Sequence, residues 1–267
     1  MELDRYIEGD SPFHRADARV KFVLALATIL MISLLPIGSF LAFLITFLVL
    51  VACSATAGLG PFRLARGAVI ALPFTLAAFP LIFTVQEQII ASFSIGPLDL
   101  TISAEGLRRF LTIAIGSWLS VQVALLLAFT TTFPDLVNGL RELRVPQVII
   151  AIISFMYRYL AVLTDEGSRM LRARDARSAA AVGDGRGGGG SIRWRAAVTG
   201  RMVGSLFLRA YERSERIYAA MQARGFEGQF RHLAARPLGR TELAWLAGII
   251  ALLALYAVIA FLWLPRL

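Results

Sequence analysis

The chain has 267 residues, 57% of them hydrophobic and 17% charged, whereas soluble domains run about 45–50% apolar and about 25% charged. This excess of apolar residues excludes disorder and a disulfide-stapled secreted scaffold and points to a polytopic membrane protein. Basic residues outnumber acidic ones by 27 to 18, a net charge of +9; this suits either nucleic acid or the arginine-rich cytoplasmic side of a membrane protein.

In chain order, Met1-Glu-Leu-Asp is acidic and lacks the basic start of a cleaved signal peptide. A bilayer core needs roughly 20 mostly apolar residues per helix. Val20–Leu35 is a slightly short candidate, with Lys21, the only lysine, able to snorkel at its end. Ser39–Ala57 is the second, after a break at Pro36-Ile37-Gly38; it contains the single Cys53, which can form no internal disulfide. Ala68–Val85 is the third, expected to kink at Pro73 and Pro80. Phe110–Phe129 is the fourth. Leu243–Leu264 is the last, with Trp245 and Trp263 near its ends as interface anchors.

Val148–Leu163 is also apolar, but Arg158 sits at its centre, where a charge costs at least about 2.5 kcal/mol in a bilayer. With five spans and the N-terminus inside, every basic residue except Arg108, Arg109 and Arg266 falls on the inner side. A sixth span at 148–163 would move the N-terminal arginines outside if 165–242 stayed inside. The positive-inside rule therefore favours five spans, with 148–163 as the root of a cytoplasmic helix. The expected fold is all-α. Residues 1–130 form an N-terminal membrane domain of four spans. Residues 131–242 form a cytoplasmic insertion with a Gly-rich linker at 183–190, and 243–267 form the C-terminal transmembrane helix. No nucleic-acid motif accompanies the arginines, so the charge reads as orientation plus a docking surface, not as nucleic-acid binding.

Within the insertion, Pro146 favours a helix start at Gln147, and helical spacing persists to Ser178 through Ile149, Ile152, Leu163 and Met170. Gly183, Gly185 and Gly188 formally match a dinucleotide fingerprint, but no strand precedes them, so the stretch reads as a linker. A second helix is expected over Gly200–Arg224. Its packing stripe is Val203, Leu206, Ala210, Ser214, Ile217 and Met221, and its other face is Arg209, Glu212, Arg213, Glu215 and Arg216. The first helix ends Ala176-Arg177-Ser178 and the second Ala223-Arg224-Gly225. An arginine suits a helix C-terminus and a glycine suits the position after it, whatever the function. Two such tips on consecutive helices also offer two planar guanidinium forks, each flanked by small residues, to two acidic grooves on a dimeric partner.

These residues carry a family resemblance: Leu3-Asp-Arg-Tyr-Ile, Ser11-Pro-Phe-His-Arg-Ala-Asp-Ala-Arg-Val-Lys21, Tyr157-Arg-Tyr, Asp165–Ser178 and above all Arg213–Phe226. The chain resembles, over essentially its whole length, the T component of energy-coupling-factor (ECF) vitamin and metal transporters, most closely the cobalt/nickel-type CbiQ branch. The resemblance implies a membrane coupling subunit of the bacterial inner membrane, with its N-terminus and coupling helices in the cytoplasm. Its partners would be two cytoplasmic ABC-type ATPase subunits and a membrane substrate-binding S component. Carried over, Ala176, Arg177 and Ser178 and then Ala223, Arg224 and Gly225 would engage the ATPases, with Ser178 replacing the family's glycine. Such a subunit is no enzyme and needs no cofactor or metal of its own; the substrate is bound elsewhere. The residues agree: His14, His232 and Cys53 are far apart in the chain, and no catalytic constellation adjoins the spans. His14 reads as a local contact. The competing readings are a T subunit for a vitamin, and a self-contained secondary transporter, which would need inverted repeats that the halves do not show.

Overall fold

The computed structural model describes residues 6–84, 89–95, 98–143, 145–177, 191–226 and 239–263. Two compact units emerge. One contains residues 4–143 and 236–267, the other residues 144–235.

The first unit is a helical body. Its elements are α1 (Pro12–Arg15), α2 (Ala18–Leu34), α3 (Phe40–Thr56), α4 (Pro61–Gly67), a 3₁₀ turn (Ala68–Ala71), α5 (Leu72–Ala77) and α6 (Leu81–Thr84). A hairpin of β1 (Ile89–Ile95) and β2 (Leu98–Ser103) follows, then α7 (Ala104–Thr130), α8 (Phe133–Glu142) and α11 (Arg240–Trp263). The second unit holds α9 (Gln147–Arg177) and α10 (Ile192–Ala223).

Side-chain caps begin several of these helices. Ser11, Asp17, Ser103 and Thr132 each accept a hydrogen bond from a backbone N–H in the first turn of α1, α2, α7 and α8. Each satisfies a donor that the helix leaves unpaired. The body's main core joins α2, α3, α7 and α11 through Met31, Ile32, Phe43, Leu119, Val123 and Ala260. Phe47 stacks on Trp118 at 5.5 Å between ring centroids. Tyr256 Oη donates to the Ala42 carbonyl at 2.6 Å, tying α11 to α3. A smaller cluster, including Leu59, Leu64, Leu125 and Phe129, closes the end where α3, α4 and α7 meet. α8 lies on the start of α2, where Arg19 pairs with Glu142. Leu34, Leu41, Leu48, Phe62 and Phe74 are exposed, an apolar exterior suited to hydrocarbon.

Three expectations need adjustment here. Within the expected span 68–85, residues 68–84 are not one kinked helix but a 3₁₀ turn and two short helices. Neither Pro73 nor Pro80 has an N–H to donate, and around Pro80 the bonds tighten to three-residue steps: Ala78 to Thr75, Leu81 to Ala78 and Phe83 to Pro80. The all-α fold also carries one antiparallel hairpin, with Phe93 opposite Leu100, Ile95 opposite Leu98 and an irregularity between Ile89 and Ala91. The signal was there, as alternating apolar residues on either side of Gly96-Pro97. Finally, α9 passes the same length-and-apolarity test for a membrane span as α7. It does so with Arg158 at the centre of its apolar half.

Gly106 shows how closely α6 approaches α7. A Cβ there would lie 2.6 Å from the Leu81 carbonyl oxygen and 3.0 Å from Ile82 Cα. Both are backbone atoms and cannot rotate away. Gly106→Ala is expected to lower stability by about 1–3 kcal/mol, as overpacking does, read as a reduced melting temperature in detergent. An unchanged melting curve would contradict this close packing.

Candidate functional site

The site is the α9–α10 unit. Pro146 starts α9 by accepting from Ile149 and Ile150 N–H at 3.0 and 3.3 Å. Along the charged half, Asp165 pairs with Arg169 one turn on, and Arg172 Nη1 donates to Ser168 Oγ at 3.2 Å. α10 starts at Ile192, about two turns before the expected Gly200. Ser191 is the reason: its Oγ accepts from Trp194 N–H at 3.3 Å and caps the helix directly after the glycine run. Gly200 and Gly204, which resemble breakers in sequence, are carried inside the helix.

The helices run antiparallel. Arg174 Nη1 donates to Thr199 Oγ1 at 3.3 Å, and Gly167 faces Leu206. Glu166 reaches Arg209 and Arg213, so rising numbers in α9 meet falling numbers in α10. Glu166 is only 9% exposed. Arg213 Nη2 donates to its Oε2 at 2.9 Å and Arg209 Nη1 to its Oε1 at 3.4 Å. The two arginines are one helical turn apart and grip both carboxylate oxygens. The Arg213 hydrogen bond above all, joined by that of Arg209 and opposed by burial, holds the Glu166 carboxyl below the usual glutamate range. The clasp is therefore formed at neutral pH and is lost only as pH falls through that lowered value.

Sequence reasoning missed this clasp. It placed Arg209 and Arg213 on the outer face and Val203 and Ser214 in the stripe. Val203 is 60% exposed and Ser214 is exposed, while Met202, Ser205, Leu206, Ala210, Arg213, Ile217 and Met221 are the partly covered positions. A reading by hydrophobicity passes over an arginine, yet Arg213 keeps the three-to-four spacing between Ala210 and Ile217. The buried carboxylate on the facing helix explains its place.

Among the expected site residues, Ala176, Arg177, Ala223, Arg224 and Gly225 are all exposed. Ser178, the linker at 183–190 and His232 lie outside the described residues. Arg177 and Arg224 pair with no described residue through their guanidinium groups. They are not brought together. Arg177 follows Arg174, which contacts Thr199, and from residue 199 to residue 224 α10 runs about 37 Å at about 1.5 Å per residue. The two tips thus stand at opposite ends of one clasped pair.

The second tip is closed by a double hydrogen bond. Phe226 N–H donates to the Met221 carbonyl at 3.0 Å and Gly225 N–H to that of Gln222 at 2.9 Å. This is the Schellman arrangement, and it needs the left-handed φ of +77° at Gly225. Gly225→Val is expected to fray the last turn of α10, because a left-handed residue with a branched side chain costs about 1–2 kcal/mol. Faster amide exchange confined to residues 221–226 is the measurement. Unchanged exchange there would argue against the motif.

His14 makes local contacts, as expected: Ser11 Oγ lies 2.7 Å from Nδ1, and Nε2 lies 3.0 Å from the Ile7 carbonyl. A carbonyl only accepts, so Nε2 donates to Ile7.

Comparison with known proteins gives this geometry a context. The CbiQ family, described as cobalt transport protein, matches residues 9–235. The cobalt transport protein CbiQ of Rhodobacter capsulatus is 30% identical over 162 residues, 61% of this chain and 63% of that protein. The energy-coupling factor transporter transmembrane protein EcfT of Thermosediminibacter oceani is 27% identical over 279 residues, 98% of this chain and 99% of its own length. A Methanocaldococcus jannaschii protein is 28% identical over 156 residues, about half of its length (51%). With the family matched over most of its length, the chain belongs to the CbiQ family of transport proteins, the non-enzymatic transmembrane T components of ECF transporters.

Proposed function

We propose that this chain couples ATP hydrolysis by two cytoplasmic ABC-type ATPase subunits to a separate membrane substrate-binding subunit. Arg177 and Arg224 each enter an acidic groove on one ATPase. When the ATPases close on ATP and reopen after hydrolysis, the tips follow, and the clasped helices carry the motion to the membrane half. The single observation that supports this reading best is that the tips stand at opposite ends of the clasped pair, with about 37 Å of α10 between residues 199 and 224. Exposed guanidinium groups between small residues leave room for carboxylates to approach in the bidentate geometry arginine favours.

On this reading the membrane is the bacterial inner membrane. Its spans are the four of residues 1–130 and the helix of 243–267, with 131–242 cytoplasmic and α9 not crossing. The family's description and the R. capsulatus relative favour cobalt, or the chemically similar nickel, as the ion carried. Affinity purification of the tagged chain from native membranes tests the assembly. The expected result is co-purification of ATPases and one further membrane protein, with ATP-dependent uptake of labelled cobalt or nickel after reconstitution. Uptake by the chain alone in vesicles, without ATPases, would overturn it in favour of a secondary transporter.

A further inference from the structure

α8 is the last element of the helical body before the chain enters α9, and four residues, Leu143 to Pro146, separate the two helices. Sixteen residues separate α10 from α11. Fully extended, four residues reach about 14 Å and sixteen about 55 Å. Pro146 takes up part of the shorter link's freedom, because its ring fixes φ. A displacement of the α9–α10 pair therefore reaches α8 first, whereas the longer return has slack to absorb it. What α8 is fastened to then decides where that displacement goes.

α8 is fastened to α2. Val137 and Gly139 are its buried residues. A Cβ on Gly139 would lie 3.4 Å from the Arg19 backbone nitrogen and 3.6 Å from Ala18 Cβ, so the two helices lie in close contact there. Glu142, the last residue of α8, pairs with Arg19 Nη2. The Arg19 and Glu142 side chains are 13% and 22% exposed, so water and salt screen the pair weakly. Asp17 Oδ1, 3.6 Å from Arg19 Nε, steadies the same guanidinium. α2 in turn is tied to the rest of the body. Lys21 Nζ donates to the Thr130 carbonyl at the end of α7 at 2.8 Å, and Met31 and Ile32 enter the core shared with α3, α7 and α11. The ion pair thus sits at the end of α8 nearest α9, and α2 is the element it loads. We propose that Arg19 and Glu142 are positioning residues for coupling: their ion pair makes α2, and with it the membrane body, follow α8 when α9 is displaced. This rests on the coupling role proposed above.

The native assembly, purified by a tag on this chain and reconstituted, provides the test. The readout is labelled cobalt or nickel taken up per ATP hydrolysed. Glu142→Gln should retain the ATPases and their hydrolysis but lower the ratio about fivefold. The charge-exchanged pair Arg19→Glu, Glu142→Arg should recover part of the loss. Ala18→Cys with Gly139→Cys, in a Cys53→Ser background, supplies a covalent substitute, because a 3.6 Å Cβ separation suits a disulfide. Oxidising that pair in the Glu142→Gln chain should restore the ratio, and reductant should remove the recovery in the same preparation. Oxidising it with Glu142 intact should change nothing, as a joint that does not slide requires. An undiminished ratio in Glu142→Gln, no difference between its oxidised and reduced forms, or coupling blocked by the disulfide with Glu142 intact would each overturn the proposal. Loss of the ATPases in both Glu142→Gln and Glu142→Asp would make the pair purely structural and overturn it equally. A wild-type chain that brings down no ATPase would instead overturn the coupling reading, and the joint with it.

Discussion

Membranes carrying the Arg177→Glu, Arg224→Glu double variant are expected to contain the inserted protein but to yield no ATPase on affinity purification. Both guanidinium groups are exposed and pair with no described residue, so their reversal breaks no ion pair among the described residues and costs each helix end only about 0.3–1 kcal/mol. What it removes is the charge-assisted fork at each docking point, and it replaces that fork with a repelling carboxylate. Loss of one arginine from a carboxylate contact at an interface costs about 2–5 kcal/mol, or about thirtyfold and upward in affinity. Each single variant should therefore weaken association measurably. Because the tips stand at opposite ends of the clasped pair, the two losses should combine independently. Arg→Lys at either tip should be intermediate, since a point charge replaces a fork. Normal recovery of ATPases with the double variant would refute the docking role of both tips.

The second large effect is expected at Glu166. Glu166→Gln leaves both tips in place, so ATPases should still co-purify. It removes the charge on which Arg213 and Arg209 converge, and with it the ion pairs that join α9 to α10. Transport per ATP hydrolysed should fall about five- to tenfold, the scale of a modest coupling free energy. The charge-exchanged pair Glu166→Arg, Arg213→Glu should recover part of the loss, which a purely structural defect would not allow. Arg213→Ala should be milder, because Arg209 still holds the carboxylate. With the carboxyl held below its usual range, coupling in the wild type should be flat from pH 6 to 8 as far as this group is concerned. An unchanged transport-to-hydrolysis ratio in Glu166→Gln would show that the clasp transmits nothing.

Much of the site was legible as a pattern. The glycine after Arg224 and the start of α9 behind Pro146 are local features, each set by backbone chemistry within a few residues. Local signals also misled. α10 was expected to start at Gly200, although Ser191 had already capped it. Prolines 73 and 80 were recognised, but not that two of them within one span would divide it. The β1–β2 hairpin alternates apolar and polar residues over strands of seven and six residues, a weaker signal than the long apolar runs on either side.

By itself the sequence determined the membrane character and the family, because composition and short motifs act over a turn or two of chain. Only the tertiary structure decided three other things. It buried Glu166 beneath two arginines forty-odd residues away, stood the tips at opposite ends of an antiparallel pair, and set Glu142 of α8 against Arg19 of α2. Each depends on which faces of distant helices meet, and helix packing is fixed by side-chain complementarity between segments that carry no mark of one another in sequence.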